Sequence, residues 1–299
     1  MEASLDGKIV IVTGAGRGIG LAIAHGCAAQ GARVVVADYG LALDGSSPDA
    51  SVAEESAAAI RDAGGEALAV AANVARKEGA SAIVEAALGE WGRIDGLACC
   101  AGILRHRPFL ELTEEDFDAV IAAHLKGHFL MFQAVLAKMV GQGGGGSLIG
   151  IGSGYVMGDP ARTPYRSAKA GIVALTKSVA MAGAEHGVRA NVIAPIADTR
   201  MTRASQLPIE MAPEDIAPMA VYLLSDRACG ISGEVFNVAG NTIGVWDDAR
   251  EHGRIGNPHR WTQREIASRL PALMADRETA PFMVPQLPDS AKPSAAPEV

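Results

Sequence analysis

The chain has 299 residues, 49% hydrophobic and 20% charged, with a formal net charge of −8. This is enough for one large α/β domain with a filled core, and the negative charge argues against a nucleic-acid partner. Apolar runs read as short and broken by Gly, so no membrane span is expected, and no basic-then-apolar leader opens the chain. A cytoplasmic protein is expected. The four cysteines (Cys27, Cys99, Cys100 and Cys229) lack zinc-type spacing, so reduced thiols and no metal site are expected.

Residues 8–12 form a continuous apolar strand, the pattern of a strand covered on both faces. It runs into residues 13–20, T-G-A-G-R-G-I-G, and then a helix with Ile19, Ile23, Ala24, Cys27 and Ala28 inward. A glycine-rich turn between strand and helix lets backbone N–H groups approach a pyrophosphate. The strict G-x-G-x-x-G spacing is not met; the glycines are Gly14, Gly18 and Gly20. The second strand, 33–37, is followed at once by Asp38. A carboxylate there accepts hydrogen bonds from ribose hydroxyls and repels a 2′-phosphate, so NAD is expected over NADP, with Arg17 pointing the other way.

A long polar insertion, 39–49, precedes a helix at 51–63. Then come a strand at 67–71 ending near Asn73 and Val74, a helix at 78–91, and a strand at 96–100 ending in C-A-G-I. T-E-E-D at 113–116 reads as a capping box starting a long helix to about 140, followed by a glycine loop at 143–146. After a strand at 147–151 and a helix at 165–186 come a strand at 189–193, the segment A-P-I-A-D-T-R-M-T, a helix at 213–224 and a strand at 234–238. Strands and helices alternate about seven times, which predicts an α/β, doubly wound (Rossmann) parallel sheet of about seven strands, helices on both faces, in one domain. The expected domain is 1–246. The extension 247–299 is expected to hold a short amphipathic helix at 262–274 and then a Pro-rich flexible tail.

Ser153, Tyr165 and Lys169 stand out within 151–171. Tyr165 and Lys169 fall one turn apart on one helix face, and Ser153 follows a strand end. A free Tyr has a pKa near 10, and reaching about 7 needs roughly 4 kcal/mol in favour of the phenolate. One ammonium about 4 Å away at an effective dielectric near 20 supplies about that much. The expectation is therefore a Tyr acid/base tuned by Lys169, with Ser153 holding a substrate oxygen.

Together, T-G-A-G-R-G-I-G, C-A-G-I, Ser153–Tyr165–Lys169 and Ala194–Pro195 resemble the short-chain dehydrogenase/reductase family over about residues 5–245. The resemblance implies hydride transfer between a nicotinamide and a secondary alcohol or ketone, with Lys169 also bonding the nicotinamide ribose. It implies cofactor contacts at Gly14, Arg17, Gly18, Ile19, Gly20, Asp38, Asn73, Val74, Ala101, Gly102, Tyr165, Lys169, Pro195 and Ile196. There are departures: Asn73 and Cys100 replace the family's Asp and Asn, and the Ser153-to-Tyr165 spacing is one residue short. His124 stands where the family has a proton-relay Asn, as a proton carrier or a structural residue. The family resemblance also implies a homotetramer or homodimer built on the long helices.

The stretch 101–129, the segment 194–202 and the long insertion after Asp38 resemble the branch holding the (3R)-hydroxyacyl-CoA dehydrogenase unit of peroxisomal multifunctional enzyme type 2 and bacterial single-domain relatives. That implies NAD and a 3-hydroxyacyl-CoA substrate. Arg105, His106, Arg107, Arg162, Arg200 and Arg203 would form a basic rim suited to CoA phosphates. The alternative substrate is a compact apolar alcohol, a steroid or terpenoid; Met157, Met201 and a lid at 202–211 carry no code that separates the two. A cofactor-binding regulator without turnover is the third reading.

Overall fold

The computed structural model describes residues 4–153, 159, 161–204, 209–247, 251 and 253–275. The chain divides into two compact units, 1–246 and 247–299. In the first, β1 (Ile9–Thr13), β2 (Arg33–Ala37), β3 (Glu66–Val70), β4 (Gly96–Cys99), β5 (Gly146–Ile151), β6 (Val188–Ile196), β7 (Val235–Ala239) and β8 (Thr242–Val245) form one sheet. Their order is β3-β2-β1-β4-β5-β6-β7-β8. Every pairing is parallel except the β7–β8 hairpin.

The strand patterns explain the layers. β1 and β2 are runs of Ile and Val that alternate between two cores. Val10, Val12, Val34 and Val36 pack with Ile23 and Leu223 on one face. Ile9, Ile11 and Val35 pack with Ile83 and Val135 on the other. The first face is covered by α1 (Gly18–Ala29) and α8 (Ala217–Leu224), the second by α3 (Lys77–Trp91) and α5 (Gly127–Gln142). Removing a branched side chain from these fully enclosed positions, such as Ile11→Ala, costs roughly 2–5 kcal/mol.

Four expectations need correction. The sheet has eight strands, because the short exposed hairpin strand β8 carries no buried alternation to mark it. Gly146 belongs to β5, where it pairs with Val188, and not to the glycine loop. The long helix is interrupted: α4 (Glu114–Ile121) starts on the expected Thr113–Asp116 capping box, and a π-helical turn at Ala122–Lys126 joins it to α5. The joined run 114–142 is long and apolar enough to cross a membrane by length and composition, which corrects the expectation that no segment reaches that length. Much of its apolarity faces the core, through Val120, Met131, Phe132, Val135 and Met139.

The remaining helices of the first unit are α2 (Ser51–Asp62), α6 (Thr163–Gly183) and α7 (Arg200–Ala204). The second unit contains α9 (Gln263–Ala275), close to the amphipathic stretch expected at 262–274; the expected flexible tail beyond it lies outside the described residues. All four cysteines are free, with Cys27 and Cys99 buried, Cys100 half-buried and Cys229 exposed.

Candidate active site

The carboxyl ends of the parallel strands open on one cleft of about 660 Å3. Ligands of such sheets bind there, beyond the strand ends, where the order of connections reverses. The reversal lies between β1 and β4. Gly14, Arg17, Gly18, Ile19, Gly20, Asp38, Asn73, Val74, Ala101, Gly102, His124, Tyr165, Lys169 and Pro195 all line the cleft. Ile196 and Ser153 are not among its lining residues; Ser153 reaches the site by hydrogen-bonding Tyr165.

The glycine turn is built for close backbone approach. A Cβ on Gly14 would stand 2.6 Å from the backbone of Ala101, and Gly14 has φ +66°, a left-handed conformation that costs glycine little. A Cβ on Gly20 would stand 2.1 Å from the Gly14 carbonyl oxygen. The turn then enters α1 with its first N–H groups free of side-chain caps, a cradle for a pyrophosphate. At the end of β2, Asp38 accepts hydrogen bonds from Gly16 N (2.8 Å) and Gly40 N (2.7 Å). Asn73 spends its side-chain oxygen on Ala75 N at 2.9 Å. The residues present thus fit a dinucleotide.

At the inner end, α6 carries Tyr165 and Lys169 into the cleft one turn apart, as the spacing predicts. Lys169 is buried, and its Nζ donates to the Ile151 carbonyl oxygen at 2.6 Å. Its Nζ lies 5.5 Å from the centre of the Tyr165 ring. Burial pulls the Lys169 ammonium down to about 8. The Tyr165 phenol is pushed up from its ordinary value by burial, only partly offset by its hydrogen bond with Ser153 and the charges of Arg166 and Arg162.

This corrects the expected lowering of Tyr165 in the protein without bound ligands. The sequence argument supplied an ammonium but no desolvation. In the fold, burial penalises the phenolate and the ammonium alike, and the ammonium is drawn to a carbonyl. The arrangement is a protonated phenol held ready to donate, with Ser153 beside it and Arg166 Nη1 3.3 Å from the Ser153 hydroxyl.

His124 sits in the π-helical turn and is 1% exposed. Single-turn π segments recur at functional sites because they redirect one side chain without ending the helix. The His124 ring meets Tyr165 edge-on, with centroids 5.3 Å apart. Its Nε2 lies 2.7 Å from Ile103 O and 3.2 Å from Ile103 N. Gly102 makes room for it, since a Cβ there would stand 2.2 Å from His124 Cε1. Burial, then the Lys169 charge, hold the imidazole well below its usual value, so His124 is neutral at pH 7 and braces Tyr165 and the 101–103 loop. His124→Asn is expected to lower kcat while leaving the shape of the pH–rate profile between pH 5.5 and 8 unchanged. An ionisation near pH 6 that disappears in the variant would instead make His124 a titrating proton carrier.

The expected basic rim is largely neutralised. Arg105 and Arg107 both pair with Asp116 (3.1 and 2.8 Å), Arg162 pairs with Asp159, and Arg203 pairs with Asp198 at 2.8 Å. Met157 and residues 205–208 of the expected lid lie outside the described residues.

The outer wall of the cleft draws on the segment 194–202 and the expected lid at 202–211, and on Leu41 of the insertion, which sequence reasoning missed. Leu41, Thr199, Met211 and Glu210 line it, and Thr199 and Thr202 knot the chain through a 2.7 Å bond from Thr199 N to Thr202 Oγ1. The insertion after Asp38 forms part of this wall and reaches the 103–105 loop: Leu104 N donates to Leu43 O at 2.8 Å, and Arg105 Nε donates to Asp44 O at 3.1 Å.

The model of the short chain dehydrogenase family matches residues 8–208. The chain belongs to that family. The short-chain dehydrogenases most similar to it include hydroxyacyl-CoA dehydrogenase ChsB1 of Mycobacterium tuberculosis, 35% identical over 92% of this chain and 90% of that protein. Peroxisomal multifunctional enzyme type 2 of Mus musculus is 36% identical over 80% of this chain, which spans 32% of that longer protein. Among solved structures, a short chain dehydrogenase from Mycobacterium avium superposes with a TM-score of 0.83 at 39% identity, covering 91% of this chain and 96% of that one. A hydroxysteroid dehydrogenase from Escherichia coli gives a TM-score of 0.70 at 32% identity, covering 81% and 99%. The resemblance to this family and to its multifunctional-enzyme branch is borne out, as is the doubly wound fold. The protein is an oxidoreductase of alcohols and ketones that binds a nicotinamide cofactor.

Proposed function

We propose that this protein is an NAD-dependent dehydrogenase of 3-hydroxyacyl-CoA substrates. The observation that carries the substrate class is the near full-length similarity to hydroxyacyl-CoA dehydrogenase ChsB1. Asp38 supports NAD: its carboxylate is held at the end of β2 by two backbone N–H groups, where a ribose hydroxyl would be its next donor. The bound nicotinamide supplies the hydride acceptor or donor. Everything else falls to the chain's own groups.

Tyr165 exchanges the proton at the substrate oxygen. Ser153 donates to that oxygen and keeps it against the phenol. Lys169, charged at neutral pH, favours the phenolate whenever Tyr165 gives up its proton, and binds the nicotinamide ribose. The neutral His124 ring holds Tyr165 in place. The burial of Lys169 and His124 at the inner end strengthens these interactions. Exposed Phe117, Phe129 and Met181 on α4, α5 and α6 support a homo-oligomer built on these helices.

A second reading, oxidation of a compact apolar alcohol, is favoured by one observation. Four of the five arginines of the expected rim, all but Arg200, are paired with Asp116, Asp159 or Asp198, and a paired guanidinium offers less to a CoA phosphate.

One panel separates them. NADH fluorescence is followed while enzyme and NAD meet 3-hydroxyacyl-CoAs of several lengths, a hydroxysteroid and a monoterpenoid alcohol. Turnover of the CoA esters is expected, with NAD preferred over NADP. Turnover of the free alcohols alone would end the acyl-CoA reading and leave the catalytic groups in place. Arg105→Glu/Arg107→Glu is expected to raise KM for the CoA esters; an unchanged KM would remove the rim from CoA binding.

A further inference from the structure

Arg166 follows Tyr165 near the start of α6, about 100° round the helix from it. It is not among the residues that line the cleft. Its guanidinium reaches the chain just after β5 and donates through Nη1 to the Ser153 hydroxyl at 3.3 Å. The side chain is half-buried, and its Nε is enclosed with no hydrogen-bond partner among the described residues. This is a costly place for an arginine. The N-terminal end of a helix carries partial positive charge and disfavours cations. α6 nevertheless has Arg162 at its N-cap and Arg166 just inside, with no acidic residue in its first turn. Asp159 feels the Arg166 charge, but its two oxygens are engaged by Ala161 N at 3.0 Å and Arg162 Nε at 2.5 Å. An enclosed donor without an acceptor adds to the cost. Local rules broken together in this way are expected at functional sites.

A serine hydroxyl has one proton to give and two lone pairs to accept with, whereas a guanidinium only donates. Arg166 therefore occupies a lone pair of Ser153 Oγ and leaves the hydroxyl proton for an acceptor on another side. On that side stands Tyr165, whose phenol hydrogen-bonds Ser153, and the substrate oxygen when substrate is bound. A hydroxyl that accepts from a cation is also polarised into a stronger donor. Burial raises the Tyr165 phenol, and the Ser153 bond and then the Arg166 charge draw it back. That is the direction expected of a chain running from the guanidinium through Ser153 to the phenol. The other groups around Tyr165 are placed differently. Lys169 is held on the Ile151 carbonyl, His124 meets the ring edge-on, Arg162 pairs with Asp159, and Cys100 lines the cleft beside Lys169.

We infer that Arg166 is a positioning residue of the proton-transfer site: it turns the Ser153 hydroxyl into a fixed donor to the substrate oxygen, and so speeds the chemical step without touching the substrate. The inference rests on the reading of Ser153 as the group that holds that oxygen. It is independent of whether the substrate is an acyl-CoA thioester or a compact alcohol.

The test is a kinetic double-mutant cycle on the full-length protein, with Arg166→Met, Ser153→Ala and the two combined. Turnover of the best alcohol of the panel is followed at saturating cofactor, by single turnovers where the steady state is too slow. Ser153→Ala is expected to lower kcat by about 10²-fold, as loss of one donor to a reacting oxygen does. Arg166→Met keeps the apolar stem and removes the donors; it is expected to lower kcat by about tenfold, with KM and the Kd for NADH within about threefold of wild type. In the Ser153→Ala background the same change is expected to cost less than about twofold, because no hydroxyl is left to orient. Arg166→Lys still offers one charged donor and is expected to recover most of the loss. An equal kcat loss from Arg166→Met in both backgrounds, or a fall in NADH binding that matches the fall in kcat, would make Arg166 structural and overturn the inference. So would an unchanged kcat, or an effect confined to KM. A Ser153→Ala loss of less than about threefold would sink the reading of Ser153, and the inference with it. A large Ser153→Ala loss beside an additive Arg166→Met effect would sink the inference alone.

Discussion

Tyr165→Phe is expected to lower kcat by about 10³-fold or more, in line with loss of a positioned acid/base, while NADH binding stays within about twofold of wild type. The substitution removes one hydroxyl that hydrogen-bonds Ser153 in a half-buried site, so the fold is expected to persist, with little change in Tm. Stopped-flow and steady-state turnover with the best alcohol of the panel would measure the loss. Retention of more than a few per cent of wild-type kcat would mean that another group handles the proton.

The same residue sets the direction of pH dependence. Burial pushes the phenol above its usual value, so it is protonated through the neutral range. Ketone reduction uses that protonated form and is expected to run well at pH 7. Alcohol oxidation needs the phenolate, so its kcat/KM is expected to climb as pH rises from 7 toward 10. A flat oxidation profile over that range would show that the bound cofactor, or Lys169, has already lowered the phenol.

Lys169→Met is expected to destroy activity and stabilise the protein at once. Lys169 is 6% exposed, and burial holds its folded-state value at about 8, against 10.5 for the free group. Between these values the unfolded chain binds more protons than the folded one, so stability rises with pH across that window. Below about 8 both states carry the proton, and the full cost of burying the charge remains. That cost is roughly 3 kcal/mol for a shift of this size. Met removes it and forfeits the charge-assisted bond to the Ile151 carbonyl, worth about 2 kcal/mol. A net gain of about 1 kcal/mol at pH 7 is expected, a rise of a few degrees in Tm. The gain should shrink as pH is raised past 8, and kcat should fall by about 10²-fold or more. Thermal unfolding of both proteins at pH 7 and pH 10 checks the sign. A variant less stable than wild type at pH 7 would show that the Ile151 contact outweighs the buried charge. Sites that keep a costly group for function give this pairing of lost activity and gained stability.

The alternation of apolar strands and amphipathic helices, the glycine turn, Asp38 after the second strand, and the Ser–Tyr–Lys spacing were all legible without coordinates. Each depends on local chemistry: β1 and β2 are covered on both faces and so are continuously apolar, Gly14 needs a left-handed φ, and Tyr165 and Lys169 share a helix face by periodicity alone. The tertiary structure decided what depends on environment and on distant partners. The π-helical turn that aims His124 at Tyr165, and the burial that neutralises that imidazole, come from how the run 114–142 packs on α6 and the sheet. The upward shift of Tyr165 follows from desolvation, which a spacing argument cannot weigh because burial is a property of the whole fold. The pairing of Arg105 and Arg107 with Asp116, and the meeting of Arg17 and Arg200 at Leu41, join side chains far apart in the chain. Sequence counts charges, but their partners, and so the field in the cleft, exist only once the loops have been folded against one another.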